Sequence, residues 1–337
     1  MIQEAIKKIL KKIDLTEAET REVFNEIMSG KASPADIEAF LLALKNKGET
    51  VDEISGAAKV MREKAVHIDA GPGIVVDTCG TGGSGINTFN ISTAAAFVVA
   101  ACGVKVAKHG NRSASSHCGS ADVLEALGVD IDMPPEMAAK CIKDLGIGFL
   151  FAPKFHLAMK YAAGPRRAVG GRTIFNILGP LSNPAGATHQ VVGVCDPGLT
   201  EVIAGVLKNL GSKRALVVCG SDRLDEVTIT GITRITELKD GNIGTYNISP
   251  EEIGIKRAGL EDIKGGTAKE NAGILLSVLK GERSPRREIV LLNAAAALVA
   301  GLKAGNFKEG IALAGDSIDS GRAVDLLNRL IGMKGTR

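Results

Sequence analysis

Apolar residues recur at helical spacing through the first 68 residues, and nothing in this stretch alternates as a strand would. Two helix starts carry capping boxes, Thr16 with Glu19 and Thr50 with Glu53. Glycines and a Ser-Pro pair mark the remaining boundaries. We therefore predict a small all-α unit, with helices at about residues 2–13, 16–30, 33–48 and 50–65.

Beyond residues 69–73, short Val/Ile-rich runs alternate with helical patterns. This alternation is typical of a mostly parallel sheet with helices on both faces. The strands are expected at 74–76, 104–107, 147–151, 191–195 and 215–219, and the helices at 91–102, 120–127, 135–145 and 199–210. Antiparallel strands are expected within 226–248, joined at Gly231 and Asp240-Gly241, followed by helices at 268–279, 286–302 and from 307 onward.

The predicted fold class is α/β. It has a small all-α N-terminal domain, a large α/β domain with a mostly parallel central sheet, and a C-terminal helical cluster. We expect the small domain to comprise residues 1–70, joined by helices from about 164–182, and the large domain to comprise 71–337. The first four helices carry more apolar surface than they need among themselves, which predicts contact with the rest of the chain or with a second subunit.

Composition narrows the class of protein. The chain has 337 residues, a net charge of +3 and 3% aromatic residues without Trp, which disfavours a nucleic-acid partner. The six cysteines share no C-x-x-C spacing, so we expect reduced thiols in a cytoplasmic protein. The longest apolar run, near residues 94–104, is too short to span a membrane.

The stretch 77–93, D-T-C-G-T-G-G-S-G-I-N-T-F-N-I-S-T, lies between a predicted strand and a predicted helix. Glycines allow the backbone to turn at positive φ and allow an anion to approach its N–H groups. The helix start adds unpaired N–H donors and a positive dipole end. An ordinary flexible loop is the alternative, but short polar side chains at the helix start (Asn87, Thr88, Asn90, Ser92 and Thr93) favour a phosphate pocket.

Two further polar segments follow predicted strands. Residues 108–116, K-H-G-N-R-S-A-S-S, supply positive charge and short hydroxyls for phosphate oxygens. Asp225 and Glu226 supply the carboxylates that Mg²⁺ takes together with substrate phosphates. Because ligands bind at the carboxyl ends of strands in open α/β sheets, we expect these segments to meet at one edge.

Arg166 and Arg167 are candidates for a two-pronged hydrogen bond to a carboxylate, although an exposed arginine pair is the commoner occurrence. The sequence contains no nucleophile elbow, which disfavours hydrolase chemistry. The glycine loop is neither G-x-x-x-x-G-K-[ST] nor G-x-G-x-x-G, which disfavours a P-loop ATPase or a nicotinamide enzyme.

Taken together, the motifs resemble those of the anthranilate phosphoribosyltransferases of tryptophan biosynthesis over essentially the whole chain. The motifs are G-T-G-G at 80–83, N-I-S-T at 90–93, K-H-G-N-R at 108–112, G-S-A-D-V-L-E-A-L-G-V at 119–129, R-T-I-F-N-I-L-G-P-L at 172–181 and D-E at 225–226. The resemblance implies transfer of the 5-phosphoribosyl group from phosphoribosyl pyrophosphate to anthranilate, with Mg²⁺ and release of pyrophosphate. It also implies a cleft between the two domains and a homodimer joined through the small domains.

The resemblance assigns roles residue by residue. It implies binding of phosphoribosyl pyrophosphate by Gly80, Gly83, Ser84, Thr88, Asn90, Ser92, Thr93, Lys108, Gly110, Asn111, Arg112, Ser113, Ser115, Ser116 and Ser120. It implies binding of anthranilate by Gly80, Asn111 and Arg166, with His109, His156, Gly179 and Pro180 shaping its entry. Ser92, Asp225 and Glu226 are the implied Mg²⁺ ligands. No dedicated acid or base is assigned, with His109 the one candidate.

Three positions depart from the family pattern: Ser84 replaces an acidic residue, His117 a lysine, and Leu157 a proline. The role of Ser84 is therefore open.

One alternative to this family is a pyrimidine nucleoside phosphorylase of the same fold, which uses inorganic phosphate without Mg²⁺. The acidic pair and the N-I-S-T and K-H-G-N-R motifs argue against it. The other is a nucleic-acid-binding relative without enzyme activity, which would show a marked basic surface and degraded motifs.

Overall fold

The structure is a computed structural model that describes residues 1–113 and 117–334. Three of its first four helices begin directly after the residues predicted to start them, Thr16, Ser33 and Thr50. The Thr16 hydroxyl accepts from the Glu19 N–H at 3.2 Å, and the Thr50 hydroxyl accepts from the Glu53 N–H at 3.3 Å. These helices are α1 (Ile2–Leu10), α2 (Glu17–Met28), α3 (Pro34–Lys47) and α4 (Val51–Glu63).

The centre of the large domain is a seven-stranded sheet with the order β3-β2-β1-β4-β5-β6-β7. The first five strands are parallel, and the last two pair antiparallel, as the sequence predicts. The strands are β1 (Val75–Gly80), β2 (Lys105–Gly110), β3 (Ile147–Phe151), β4 (His189–Gly193), β5 (Arg214–Gly220), β6 (Thr233–Lys239) and β7 (Asn242–Ile248).

Two strand predictions require correction. Strand β2 extends through Gly110, because Lys108 and His109 pair with β3 and so lie in the strand rather than in the loop after it. Residues 226–232 form no strand, so the predicted junction at Gly231 is wrong. Their polar groups bind elsewhere: the hydroxyls of Thr228 and Thr230 both donate to Asp222.

Helices cover both faces of the sheet. Helices α5 (Ile91–Ala101) and α13 (Pro285–Ala300) pack on one face against Val76, Val106 and Val191, in a cluster that also contains the C-terminal helices. Helices α10 (Ile174–Leu181) and α11 (Leu199–Asn209) pack on the other face, in a cluster with Val192 and Val217, and α4 packs on these two helices. The helices after β1 are α5 (Ile91–Ala101), α6 (Ser120–Ala126), α7 (Pro135–Leu145), α8 (Ala152–Phe155), α9 (Lys160–Val169), α10 (Ile174–Leu181), α11 (Leu199–Asn209), α12 (Ala268–Leu279), α13 (Pro285–Ala300), α14 (Phe307–Asp319) and α15 (Arg322–Gly332).

The hydrophobic core of the first four helices continues into the rest of the chain. The rings of Phe24 in α2 and Phe175 in α10 lie 5.6 Å apart, within the cluster that reaches β4 and β5. Within residues 1–113 and 117–334, no helix is both long and apolar enough to cross a membrane.

Candidate active site

A cavity of about 350 Å³ opens at the carboxyl ends of β1 and β2, beside the loop that follows β5. The three polar segments singled out from the sequence meet here, as the parallel topology predicts. The predicted residues that line it are Gly80, Gly83, Ser84, Thr88, Asn90, Ser92, Thr93, Lys108, His109, Gly110, Asn111, Arg112, Ser113, Ser120, Gly179, Pro180, Asp225 and Glu226. Ser115 and Ser116 lie outside the described residues.

The glycine loop needs its glycines for two different reasons. Gly82, Gly83 and Gly85 have φ values of 66°, 88° and 72°, a region that L side chains rarely adopt. Gly80 instead allows a close approach, because a Cβ at this position would lie 2.4 Å from Oδ2 of Asp225. A hydroxyl–backbone turn closes the loop, since the Ile86 N–H donates to Oγ of Ser84 at 3.2 Å.

The acidic pair is half-buried and held by backbone donors. Asp225 accepts from the Gly82 N–H at 2.9 Å, and Glu226 accepts from the Ser92 N–H at 3.2 Å. Burial raises the pKa of Asp225, and burial together with the Asp225 charge raises the pKa of Glu226 to about 8. Neither carboxylate forms an ion pair with a cationic side chain in the described part of the chain. The Lys108 charge lowers the pKa of Glu226 without outweighing the effect of burial.

Lys108 is the cation nearest to this pair. Its side chain is 3% exposed, and its Nζ donates to the Thr78 carbonyl at 2.5 Å and lies 3.4 Å from Oγ of Ser92. Placement within β2 fixes the ammonium between β1 and the start of α5. The positive charge thus faces the base of the cavity.

Asn90 occupies the position before α5 but does not cap it through its side chain. Its Nδ2 donates to the Cys118 carbonyl at 3.1 Å, and its Oδ1 accepts from Nδ2 of Asn271 at 3.0 Å. Asn271, in α12, is in turn fixed by the Gly266 N–H at 2.7 Å. The side chain of Asn90 is therefore held from both ends.

His109 lines this cavity, and His156 packs against His109 without lining the cavity itself. Their ring centroids are 5.0 Å apart, and Nδ1 of His109 lies 3.0 Å from the Gly179 carbonyl. Burial, with a contribution from His156, lowers the pKa of His109 to about 3, and burial lowers that of His156 to about 4. Both imidazoles are therefore neutral at pH 7. A neutral His109 already bonded to Gly179 is poorly suited to act as a proton donor.

Arg166 does not line the first cavity. It lines a second cavity of about 720 Å³, which shares Thr81, Gly82, Gly83 and Asn176 with the first. The guanidinium lies over the ring of Phe175, 5.1 Å from its centroid. The two cavities together form one cleft, from the acidic pair to the arginine.

Arg112 and Ser113 are engaged by α6. The Arg112 guanidinium forms ion pairs with Asp122 and Glu125, and the Ser113 N–H donates to Asp122 at 3.0 Å. Ser120 donates to the Asn111 carbonyl at 3.3 Å. These bonds connect the loop after β2 to α6.

Several residues that the sequence analysis missed support this site from behind. Asp77 accepts from the His109 N–H at 3.2 Å and from Asn183 at 2.8 Å, and Asn183 also donates to the Ala107 carbonyl. Burial raises the pKa of Asp77 to about 6. In the sequence, a polar residue within an otherwise apolar segment was the only indication of such a supporting role. The missed residues are Asp77, Asn183, Gly193, Asn271 and Asn293.

Comparison with known families agrees with this architecture. Residues 3–65 match the family described as "Glycosyl transferase family, helical bundle domain", and residues 72–324 match "Glycosyl transferase family, a/b domain". The fold and the matches define a glycosyltransferase with these two components.

More specific relatives cover nearly the whole chain. Anthranilate phosphoribosyltransferase of Moorella thermoacetica is 57% identical over 331 residues, 98% of each chain. The crystal structure of the Thermus thermophilus enzyme has a TM-score of 0.93 and 45% identity, and covers 98% of each chain. The Saccharomyces cerevisiae enzyme in complex with PRPP and Mg has a TM-score of 0.90 and 29% identity, and covers 98% of this chain and 97% of that one. The chain belongs to the anthranilate phosphoribosyltransferase family.

Proposed function

We propose that this chain transfers the 5-phosphoribosyl group of phosphoribosyl pyrophosphate to the amine of anthranilate, in L-tryptophan biosynthesis. One observation carries the proposal: the glycine loop, Lys108 and the acidic pair line one cavity that is continuous with the cleft bearing Arg166. This arrangement provides a place for a polyanion beside a place for an aromatic carboxylate.

The phosphoribosyl pyrophosphate subsite comprises the glycine loop, the start of α5 and the end of β2. Its donors are backbone N–H groups, short hydroxyls and the Lys108 ammonium, which suit phosphate oxygens. The residues assigned to this subsite are those named from the family resemblance, from Gly80 to Ser120. Ser84 belongs to it through its position in the loop, where it supplies a hydroxyl in place of a carboxylate.

Asp225 and Glu226 fit a divalent cation because they are adjacent, half-buried carboxylates with no ion-pair partner among the described residues. Together with the Ser92 hydroxyl they form the oxygen ligand set that we assign to Mg²⁺. The bound ion supplies positive charge that offsets the charge growing on the pyrophosphate. The raised pKa of each carboxyl follows from burial, and for Glu226 also from the Asp225 charge.

The reaction needs little proton chemistry from the protein. The C1′–O bond breaks with its electron pair leaving on pyrophosphate, and the anthranilate nitrogen lone pair forms the new N–C1′ bond. The nitrogen then loses one proton to solvent or pyrophosphate. The chain contributes by holding the two substrates in line and by placing N–H groups and Lys108 at the leaving group.

We assign anthranilate to the side of the cleft formed by Asn111, the two histidines, Gly179-Pro180 and Arg166. Arg166 provides the counterion for the carboxylate. His109 and His156 remain neutral; His109 lines the cavity on this side, and His156 packs against His109.

We further propose the domain division and the assembly. Residues 1–70, with α9 and α10, form the small domain, and the other residues from 71 onward form the large one; the contacts of α9 with α2 and α3, and of α10 with α3 and α4, support this grouping. Exposed apolar side chains on the small domain, among them Leu10 and Leu42, support a homodimer through this domain.

Six free cysteines support a cytoplasmic location.

The dimer has its own test. Leu42→Glu should convert the dimer to a folded monomer in sedimentation equilibrium. Leu302→Glu, at an equally exposed leucine outside the small domain, should leave the dimer intact. A dimer in both variants would contradict the assignment of the interface.

The activity is tested by the loss of anthranilate fluorescence on adding the chain, phosphoribosyl pyrophosphate and Mg²⁺, with EDTA as the control. Metal-dependent loss supports the proposal. No loss with any divalent metal contradicts it, and nucleoside phosphorolysis and salt-dependent DNA binding would then test the two rivals.

A further inference from the structure

Asn293 is a polar side chain in the middle of α13, a helix of mostly Leu, Val and Ala residues that packs behind the sheet. It is 3% exposed. Its side-chain amide binds both backbone groups of Val227, in the loop that carries the acidic pair. Asn293 lines neither of the two cavities of the cleft and is not among the residues assigned a role in binding.

The contact with the loop is two-pronged. The Val227 N–H donates to Oδ1 of Asn293 at 2.8 Å, and Nδ2 of Asn293 donates to the Val227 carbonyl at 2.9 Å. Nδ2 also donates to the Ile289 carbonyl, one turn earlier in α13, at 2.9 Å. This third bond fixes the orientation of the amide, because a flipped amide would place its NH₂ group against the Val227 N–H.

The Val227 N–H belongs to the peptide that joins Glu226 to Val227. Asn293 therefore fixes the peptide plane on one side of the acidic pair. On the other side, a Cβ at Gly193 would lie 1.7 Å from the Asp225 carbonyl oxygen, so the backbone of Asp225 lies directly on the end of β4. The pair is held between a helix and a strand, with both carboxyl groups turned toward the cavity.

We propose that Asn293 is a positioning residue that sets the geometry of the Asp225-Glu226 pair and thereby its affinity for a divalent cation. The inference rests on the proposed function, in which this pair holds Mg²⁺. Asn293 bonds the backbone next to the proposed metal ligands and is not itself a ligand. Loss of a group at this distance from a metal typically weakens metal affinity about 10- to 100-fold.

Two variants test the inference. Asn293→Ala removes all three hydrogen bonds, and Asn293→Asp keeps the acceptor for Val227 while removing both donated bonds. We expect the Mg²⁺ concentration for half-maximal activity at saturating substrates to rise at least about tenfold in the alanine variant, and less in the aspartate variant. A direct measurement uses Mn²⁺ with phosphoribosyl pyrophosphate and without anthranilate, where the electron paramagnetic resonance of free Mn²⁺ reports the bound fraction against an enzyme-free blank.

Asn306→Ala is the matched control for lost stability. It removes the side-chain cap of α14, whose Oδ1 accepts from the Glu309 N–H at 3.0 Å, at a place remote from the acidic pair. It should lower the melting temperature without changing the Mn²⁺ bound fraction. If Asn293→Ala also changes only the melting temperature, Asn293 has a structural role alone and the inference is wrong. If the alanine variant does not fold, the same comparison of Mn²⁺ bound fraction and melting temperature is made with the aspartate variant. A change in melting temperature alone then shows that the inference is wrong.

Asp225→Asn separates this inference from the proposed function. If Asp225→Asn raises the Mg²⁺ requirement and the Asn293 variants do not, only the role of Asn293 is overturned. If Asp225→Asn leaves the requirement unchanged, the assignment of the metal to this pair fails, and the inference about Asn293 fails with it.

Discussion

The backbone N–H of Gly82 donates to Oδ2 of Asp225 at 2.9 Å, across 143 positions of sequence. The bond connects the glycine loop after β1 to the acidic pair after β5. Since β4 lies between β1 and β5 in the sheet, the two loops meet across its carboxyl end. The anion-binding loop and the proposed cation ligands therefore form one unit, and moving either one moves the other.

Gly193→Ala should disturb this unit from β4. The new methyl group would lie 1.7 Å from the Asp225 carbonyl oxygen, so the backbone of the acidic pair must shift. A displacement of about 1 Å in a catalytic group costs on the order of 100-fold in rate. We expect a loss of that size in kcat/KM, measured by anthranilate fluorescence. Gly273→Ala is the control, because the helix α12 has open space there and the substitution should be neutral or stabilising. Wild-type activity of Gly193→Ala would contradict the proposed role of Asp225.

Asn183 and Asn271 should show opposite effects on the two substrates. Asn183 contacts Asp77 and Ala107 beneath the proposed anthranilate side, whereas Asn271 holds Asn90 on the phosphoribosyl pyrophosphate side. We expect Asn183→Ala to raise mainly the KM for anthranilate and Asn271→Ala to raise mainly the KM for phosphoribosyl pyrophosphate. Asn183→Ala should also cost about 2–3 kcal/mol in the free energy of unfolding, because it leaves the Asp77 carboxylate poorly bonded. Equal changes in both KM values for each variant would refute the division of the cleft.

The histidine pair should make the protein acid-sensitive. His109 and His156 have lowered pKa values in the folded state, so below pH 6.5 these two histidines bind more protons in the unfolded chain than in the folded chain. Their stabilising contribution is complete above pH 6.5 and is lost as the pH falls through about 4 for His156 and about 3 for His109. We expect the free energy of unfolding to change by on the order of 1 kcal/mol per pH unit for each histidine. Urea unfolding between pH 7 and 4 measures this slope.

His156→Gln should remove the share of this slope that one histidine contributes, because the new side chain does not titrate. The substitution His117→Gln is the control, since His117 is exposed and lies outside the buried pair. An unchanged slope in His156→Gln would mean that the pKa of His156 is the same in the folded and unfolded chains, and so is not lowered by burial.

The main strands and the capped helices follow from local pattern. Apolar runs between helical patterns predict a parallel sheet, and a parallel sheet brings its strand-end loops to one edge. This is why the glycine loop, the loop after β2 and Asp225-Glu226 were expected together. The end of β2 was misplaced because Lys108 and His109 are polar; only their pairing with β3 places them in the sheet.

The supporting residues were not predictable in this way. Asn271 lies 181 positions from Asn90, and Asn293 lies 66 positions from Val227. In the sequence each is a single asparagine within a helical pattern, a position where an exposed polar residue is equally common. Their roles depend on how helices pack behind the sheet, which local periodicity does not encode.

Arg166→Ala should raise the KM for anthranilate more than the KM for phosphoribosyl pyrophosphate. Arg166 is half-buried, and its guanidinium is held over Phe175 at 5.1 Å, so its position in the cleft is fixed before substrate binds. A charged hydrogen bond to a carboxylate is worth about 1.5–3 kcal/mol, which predicts an increase of roughly 10- to 100-fold in the anthranilate KM. Arg167→Ala is the matched control, because this exposed neighbour lines the same cavity without an aromatic partner among the described contacts. We expect it to change the anthranilate KM less than about threefold, because only a screened charge is lost. Equal increases in both KM values for Arg166→Ala, or an equal effect of Arg167→Ala, would rule out Arg166 as the specific partner of the carboxylate.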